Sequence, residues 1–286
     1  MTESPLLDSC PYHPDSPLIG SNIYLQEGQL RSCARCELYL SACSSTQFLN
    51  ALEGKWGLAR TLDPEPKSMR RLRTRRYHDW RIARRLLKQI DHVKHLDVGC
   101  ATGTNVQIFA ELGLDACGVD PSEQPILLGQ KAGRKLFKGT LDELNFPSES
   151  FDLISSYEVI EHVPTPVEFL REITRVLKPG GVLILGTGNF DSWTRRLRRD
   201  RWDFFNLIEH GGHICFYSPN TFKKIAPMMR LQLVKANTHS LRFFEKEEVS
   251  WFTYRMSKII SEIASLIAKS VGKGHQMECF FVKREQ

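Results

Sequence analysis

Apolar and polar positions change their spacing along this chain, and the changes mark its elements. The run His95-Leu96-Asp97-Val98 stops at a glycine-bracketed turn, Gly99-Cys100-Ala101-Thr102-Gly103. Ala116-Cys117-Gly118-Val119 follows and ends in Asp120. Phe151-Asp152-Leu153-Ile154-Ser155-Ser156-Tyr157 and Val182-Leu183-Ile184-Leu185-Gly186-Thr187 are two further runs. Short apolar runs bounded by turn residues predict buried strands. Between the last two, residues 167–177 carry Phe169, Leu170, Ile173, Val176 and Leu177 at helical spacing, and Lys178-Pro179-Gly180-Gly181 terminates that helix. Ser218-Pro219-Asn220-Thr221 reads as the cap of another helix over residues 222–229. Strands alternating with helices predict an α/β fold, a parallel sheet covered on both faces.

The turn after the first of these strands narrows the chemistry. A strand ending at a glycine turn lets backbone N–H groups and the next helix N-terminus approach a ligand closely. An acidic residue at the tip of the following strand, here Asp120, can hold both ribose hydroxyls of a nucleoside. Dinucleotide sites use G-x-G-x-x-G to accommodate a pyrophosphate, whereas Gly99-x-Ala101-x-Gly103 is shorter. Asp97 would repel phosphate and attract an ammonium group. S-adenosylmethionine, with an amino acid and a sulfonium and no phosphate, fits better.

Leu96 to Gly103, Asp120, Phe151-Asp152 followed by Glu158-Val159-Ile160-Glu161-His162-Val163, and Arg175-Val176-Leu177-Lys178-Pro179-Gly180-Gly181 together resemble the ordered motifs of class I S-adenosylmethionine-dependent methyltransferases. The resemblance covers roughly residues 80–286. It implies a Rossmann-like seven-stranded sheet whose last strand is antiparallel, with residues 231–238 and 276–284 as the final two strands. It further implies that Asp97, Gly99, Cys100, Ala101 and Gly103 surround the methionine portion of the cofactor. Asp120 would hold the ribose, Pro121 would lie beside the adenine, and Thr140, Leu141 and Asp142 would border the adenine edge. Ser156 and Tyr157 would end the fourth strand below the sulfonium.

Methyl transfer is an in-line displacement, so the protein must align a nucleophile and help remove its proton. Glu158, Glu161 and His162 are spaced i, i+3, i+4, which in a helix puts them on one face at the pocket mouth. Three readings of the trio are open. His162 is a general base oriented by a carboxylate; the trio binds a divalent metal with a fourth ligand such as His213; or it is a helix start without catalytic duty. The metal reading resembles ubiquinone-pathway O-methyltransferases and small-RNA 2′-O-methyltransferases. Glu209-His210-Gly211-Gly212-His213, followed by Ile214-Cys215-Phe216-Tyr217-Ser218, is similar to the segment before the sixth strand in that group, and makes His210 and His213 further candidates.

The 286 residues leave room for one domain and a smaller module, and 41% apolar content is ordinary for a soluble protein. No run reaches the roughly 18 apolar residues that span a bilayer, and the first residues are polar and acidic rather than signal-like, so the expected location is the cytoplasm. Eight cysteines there are thiols or metal ligands rather than disulfides. Cys100, Cys117, Cys215 and Cys279 sit in apolar runs and read as core. Cys10-x2-His13 and Cys33-x2-Cys36 have the spacing of a tetrahedral zinc site with no open position, and Cys43 is a possible substitute ligand. The segment resembles the zinc-ribbon leader of some bacterial methyltransferases, with His13 where a cysteine is usual. The expected divisions are a zinc-ribbon-like module over residues 1–60, a basic helical linker over 61–90 and the cofactor-binding domain over 91–286.

The net charge of +6 is modest. The basic run from Lys67 to Arg85 and the cluster Arg195, Arg196, Arg198, Arg199 and Arg201 read either as solvated faces or as contacts to an anionic substrate or nucleic acid. Residues 249–271 carry Trp251, Phe252, Met256, Ile259, Ile260, Ile263, Leu266 and Ile267 at helical spacing. That face either packs over the sheet as a lid or meets a membrane or lipid substrate, helped by Arg255, Lys258, Lys269 and Lys273. The resulting expectation is a methyltransferase acting on a small molecule or a glycan or lipid intermediate, at a hydroxyl. An RNA-directed methyltransferase and a non-catalytic scaffold are the alternatives. The acceptor and the oligomeric state are not legible.

Overall fold

The computed structural model describes residues 3–55, 62–244 and 248–285. The expected boundary between residues 60 and 61 lies outside the described residues. The chain begins with strands β1 (Leu18–Leu25), β2 (Gly28–Cys33) and β3 (Tyr39–Leu40), then helices α1 (Ser45–Lys55) and α2 (Pro66–Leu86). The larger part follows: β4 (Lys94–Val98), α3 (Thr104–Glu111), β5 (Asp115–Asp120), α4 (Glu123–Lys131), β6 (Leu136–Lys138), β7 (Phe151–Tyr157), α5 (Pro166–Val176) and β8 (Leu177–Gly188). It closes with α6 (Trp193–Arg198), β9 (Cys215–Phe216), α7 (Pro219–Ile225), β10 (Leu231–His239), α8 (Trp251–Ser270) and β11 (Gln276–Lys283).

Seven strands form one sheet in the order β10-β11-β8-β7-β4-β5-β6, and β11 is antiparallel to both neighbours. The α/β class, the strand count and the antiparallel last strand are those expected. The central strands are buried on both faces, which is why they read as near-continuous apolar runs. Leu96, Ile154, Leu183 and Phe281 point to the α5 and α7 side. Val106 and Phe109 of α3 and Trp80 and Ala83 of α2 pack with Leu153, Val182 and Ile184 on the other. Helix α5 has Pro166 in its first turn and buries Val167, Leu170, Ile173 and Val176 at three-residue steps. The chain leaves β4 toward β5 and β6, then returns to β7 on the opposite side. The carboxyl ends of β4 and β7 are therefore the switch point, where open parallel sheets bind ligands.

The N-terminal strands make a second, antiparallel sheet in the order β1-β2-β3-β9. Its fourth strand comes from residues 215–216, far along the chain. A shared aromatic cluster of Leu30, Phe190, Trp202, Phe204, Phe205 and Phe216 sits beneath it. The leader and the larger part are thus joined by backbone pairing and by a common core. Cys100, Cys117, Cys215 and Cys279 are buried, as their apolar surroundings imply.

Candidate active site

The β4–α3 turn is held open by its glycines. Gly99 and Gly103 both have φ of +77°, and an added Cβ at Gly99 would lie 2.3 Å from Val159 Cγ2. A side chain there has neither the conformation nor the room, so bare backbone lines the crevice. Ala101 N donates to Asp120 Oδ2 at 2.9 Å, and Ser122 N to Asp120 Oδ1 at 2.8 Å. Asp120 therefore braces the turn from the neighbouring strand tip and keeps lone pairs for a further donor.

Asp97 is 1% exposed at the end of β4. Its carboxylate accepts from Ser155 Oγ at 2.5 Å and from Asn105 Nδ2 at 3.4 Å. Ser155 Oγ in turn lies 2.9 Å from His95 Nε2. Burial pushes the Asp97 carboxyl up to about 6 and His95 down to about 3. A carboxylate cut off from solvent, with Ser155 and the Arg76 charge only partly offsetting its burial, is suited to an arriving ammonium group.

Two hollows flank this turn. The larger, about 550 Å³, is lined by Val98, Gly99, Val119, Pro121 and Val159 with the loop Gly139-Thr140-Leu141-Asp142. Its largely apolar wall, with Asp120 behind it, suits a purine. Thr140 N is already used, donating to Glu143 Oε2 at 2.8 Å, so the loop is fixed by its own side chain. The smaller, about 150 Å³, is bounded by Arg75, Arg76, Asn105, Tyr157, Glu158 and Glu278. Of the residues assigned to the cofactor, Gly99, Pro121, Thr140, Leu141 and Asp142 line the first and Tyr157 the second. Ser156 is buried and lines neither, and nor do Asp97, Cys100, Ala101, Gly103 and Asp120, which lie in or behind the turn itself.

The smaller hollow contains what the sequence reading missed. Arg76 is 3% exposed, its guanidinium carbon 3.4 Å from the centroid of the Tyr157 ring. Its nitrogens lie 3.3 Å from Asp79 and 3.7 Å from Glu278. Tyr157 Oη donates to Asp79 Oδ2 at 3.1 Å. Within a run of exposed arginines Arg76 looked solvated. The signal was its register: Arg76, Trp80 and Ala83 share one helical face, and all are buried.

The expected single helical face of Glu158, Glu161 and His162 does not form. Only Ile160–His162 make a 3-10 turn, and Glu158 stands before it with φ of +55°. Pro164 follows Val163, which is driven to an extended ψ of 117°, so no helix starts until α5. The turn nevertheless builds a cluster by a different route. Ligand atoms of Glu161, His162 and His213 all lie within 4.8 Å of one another. His213 Nδ1–H donates to Phe204 O at 2.8 Å, which leaves Nε2 bare, 3.9 Å from Glu161 Oε1. A backbone carbonyl holding one ring nitrogen in this way fixes the tautomer and aim of the other, as it does for imidazoles that bind metals. Burial, with His162 next, lowers the basicity of His213 and keeps it neutral; burial raises the Glu161 carboxyl to about 7. Glu161 is 2% exposed; neither carboxylate oxygen has a close hydrogen-bond partner, and Thr187 and Glu158 stand near enough only to ease the rise that burial causes, so the carboxylate can take a cation. Glu158 is outside this cluster, on the smaller hollow. His210 is also outside it; its ring stacks on Phe204 and His213 with centroids 5.4 and 5.0 Å away.

The second cluster is Cys10, His13, Cys33 and Cys36, whose ligand atoms also fall within 4.8 Å of one another. Cys10 Sγ lies 3.6 Å from Cys36 Sγ, and His13 Nδ1 is 4.0 Å from Cys10 Sγ and 3.9 Å from Cys33 Sγ. A tetrahedron with zinc–sulfur bonds of about 2.3 Å has edges of roughly 3.7 Å. A disulfide needs its sulfurs at about 2 Å, so the pair is not one. Cys43 is buried elsewhere and is not a member. The two clusters are linked by backbone: Ser41 N donates to Ile214 O, and Ile214 N to Glu161 O, each at 2.9 Å.

A sequence profile described as a methyltransferase domain matches residues 69–234 of the 286. The chain belongs to that methyltransferase-domain family. The ubiquinone biosynthesis O-methyltransferase of Azorhizobium caulinodans is 34% identical over 111 residues, 37% of this chain and 44% of that one. The match thus spans less than half of that relative. An S-adenosylmethionine-dependent methyltransferase from Archaeoglobus fulgidus superposes with a TM-score of 0.52 at 19% identity, over 74% of this chain and 94% of its own. A chain of the complex between the Haloferax volcanii Trm112 methyltransferase activator and a methyltransferase gives 0.54 at 14%, over 77% and 95%. These superpositions carry the fold: this is a class I methyltransferase sheet.

In this chain the arginine cluster after β8 is largely used internally. Arg195 lies over Phe190, Arg196 pairs with Asp191 at 2.6 Å, and Arg198 with Glu248 at 2.6 Å. The large apolar residues of α8 do not form a lid; they face outward.

Proposed function

We propose that this chain is an S-adenosylmethionine-dependent O-methyltransferase whose acceptor hydroxyl is positioned by a divalent cation held by Glu161, His162 and His213. The observation that carries the reading is that cluster: the buried Glu161 and His213 converge with the half-buried His162, and the bond from His213 Nδ1–H aims its bare Nε2 inward. The relatives named as ubiquinone biosynthesis O-methyltransferases support the same type of acceptor atom. The acceptor class remains a small molecule or a glycan or lipid intermediate.

When bound, the cofactor supplies a methyl group on a good leaving group, and the cation polarises the acceptor oxygen. The chain does the rest. Asp97 pairs with the amino acid ammonium, and Arg76 places positive charge across the smaller hollow. Asp120 receives the ribose hydroxyls while holding the turn, and Pro121 and Leu141 close on the adenine. His210 keeps His213 in place by stacking. Cys10, His13, Cys33 and Cys36 hold a structural zinc, which gives a leader with little core of its own the folding energy it lacks. Residues 1–60, 61–90 and 91–286 remain the working divisions, with β9 completing the sheet of the first.

The test is incubation with labelled S-adenosylmethionine and catechol-type or lipid-extract acceptors, with and without EDTA. Labelled product should disappear with EDTA and return with added Mg²⁺ or Mn²⁺. Transfer that proceeds unchanged in EDTA would sink the cation reading and leave general-base catalysis by His162.

A further inference from the structure

Helix α8 is amphipathic in reverse. Its side toward the protein is made of small residues: Ser261 and Ala268 are buried at 7% and 0%, and Ser257 and Ala264 are half-buried. Its outward side carries Phe252, Met256, Ile259, Ile263, Leu266 and Ile267, exposed from 44% at Met256 to 72% at Leu266. An apolar stripe of this size turned to solvent marks an interaction surface.

Charge decides the occupant. At 100° per residue, Arg255, Lys258 and Lys269 fall along one border of the stripe, and Trp251, with the Arg255 guanidinium 5.0 Å from its ring, falls with them. The helix's single acid, Glu262, falls within the same border, so three cations against one acid leave it a net charge of +2. Lys273, expected to help, instead pairs with Asp191. A second copy packed antiparallel would set the basic border against itself, and one packed parallel would set it against the uncharged border at Ile260 and Val271. An anionic lipid surface answers both features at once, taking the aliphatic side chains below the headgroups and the cations at their level. Among the described residues no helix is long and apolar enough to cross a membrane, so the helix lies on the surface.

The position of α8 gives the contact a purpose. It joins the carboxyl end of β10 to the start of β11, and His239 and Gln276, on either side of it, both line the smaller hollow. We infer that α8 is an interfacial helix that docks this protein on anionic bilayers with its crevice at the lipid surface. The docking is independent of which acceptor is methylated.

The experiment is co-sedimentation of the full chain with vesicles of phosphatidylcholine alone or mixed with phosphatidylglycerol, alongside light-scattering mass in solution. The wild type should sediment with the mixed vesicles and be released by salt. Ile263→Asp with Leu266→Asp alters two exposed side chains, so the fold is kept, and should weaken binding at least tenfold. Replacing Arg255, Lys258 and Lys269 together by Gln should cost on the order of a hundredfold on mixed vesicles and little on neutral ones. Wild-type protein that stays in the supernatant overturns the proposal, and so does a stable dimer dissolved by the Asp substitutions, which would give the face to a second copy. Undiminished sedimentation of the Asp variant overturns it as well.

Discussion

Replacing Asp97 by Asn should stabilise the protein and damage it as an enzyme at the same time. The side chain is 1% exposed and its carboxyl is raised to about 6 by burial. His95 beside it is held neutral, so the chain Nε2–H to Ser155 to Asp97 brings a hydrogen bond but no charge. A raised carboxyl costs nothing while both folded and unfolded states hold the proton. As pH rises above about 4 the unfolded chain releases its proton first, and the folded state loses ground until about pH 6, after which the penalty is constant. Two pH units of displacement are worth about 3 kcal/mol. Asn has the same shape and still accepts from Ser155, so the variant should gain about 2–3 kcal/mol near pH 8 and about half that near pH 5. For a chain of this size that is a rise of roughly 5 °C in melting temperature. The cofactor ammonium would lose its charged partner, worth about 1.5–3 kcal/mol, or a tenfold to hundredfold loss of affinity. Thermal melts at the two pH values, each with and without S-adenosylmethionine, read both effects. A variant that melts below wild type near pH 8 refutes the burial argument; an undiminished shift on adding cofactor refutes the ammonium contact.

Asp120→Ala removes two charge-assisted bonds to the turn and the ribose contact, so cofactor affinity by calorimetry should fall at least a hundredfold, to the point of losing saturation. His213→Ala should abolish divalent-dependent transfer by at least a hundredfold, while His210→Ala, outside the cluster, should retain most of it; equal losses in the two would contradict the ligand assignment. Cys33→Ser should lower zinc from one equivalent per chain toward none by elemental analysis. Hydrogen exchange over residues 213–217 should rise with it, because β9 completes the sheet that the cluster anchors; unchanged protection there would disconnect the two clusters.

Much of this arrangement was legible before any coordinates. Gly99, Gly103 and Asp120 announce a ligand turn because glycine suits its left-handed, uncrowded backbone and a carboxylate suits the strand tip that meets a ribose. The C-x2-H and C-x2-C pairs announce their cluster because two intervening residues let a chain curl around one ion. Arg76 was hidden, since a buried cation inside a basic run differs from its neighbours only by helical register. The direction of the apolar face of α8, toward the sheet or away from it, was left open. Periodicity measures that a helix has two sides, and the partner that each side meets depends on whether the small or the large side chains fit the surface beneath.

Local chemistry determined the strands, the glycine turn and the two cysteine-containing pairs Cys10-x2-His13 and Cys33-x2-Cys36, since each depends on residues close together in the chain. Tertiary structure alone decided that His213 joins Glu161 and His162 while Glu158 turns to the smaller hollow, because Val163-Pro164 forbids the helix that would have put all three on one face. It alone gave the leader its fourth strand from residues 215–216, because an edge left unpaired by β3 is satisfied by whichever backbone packing brings alongside.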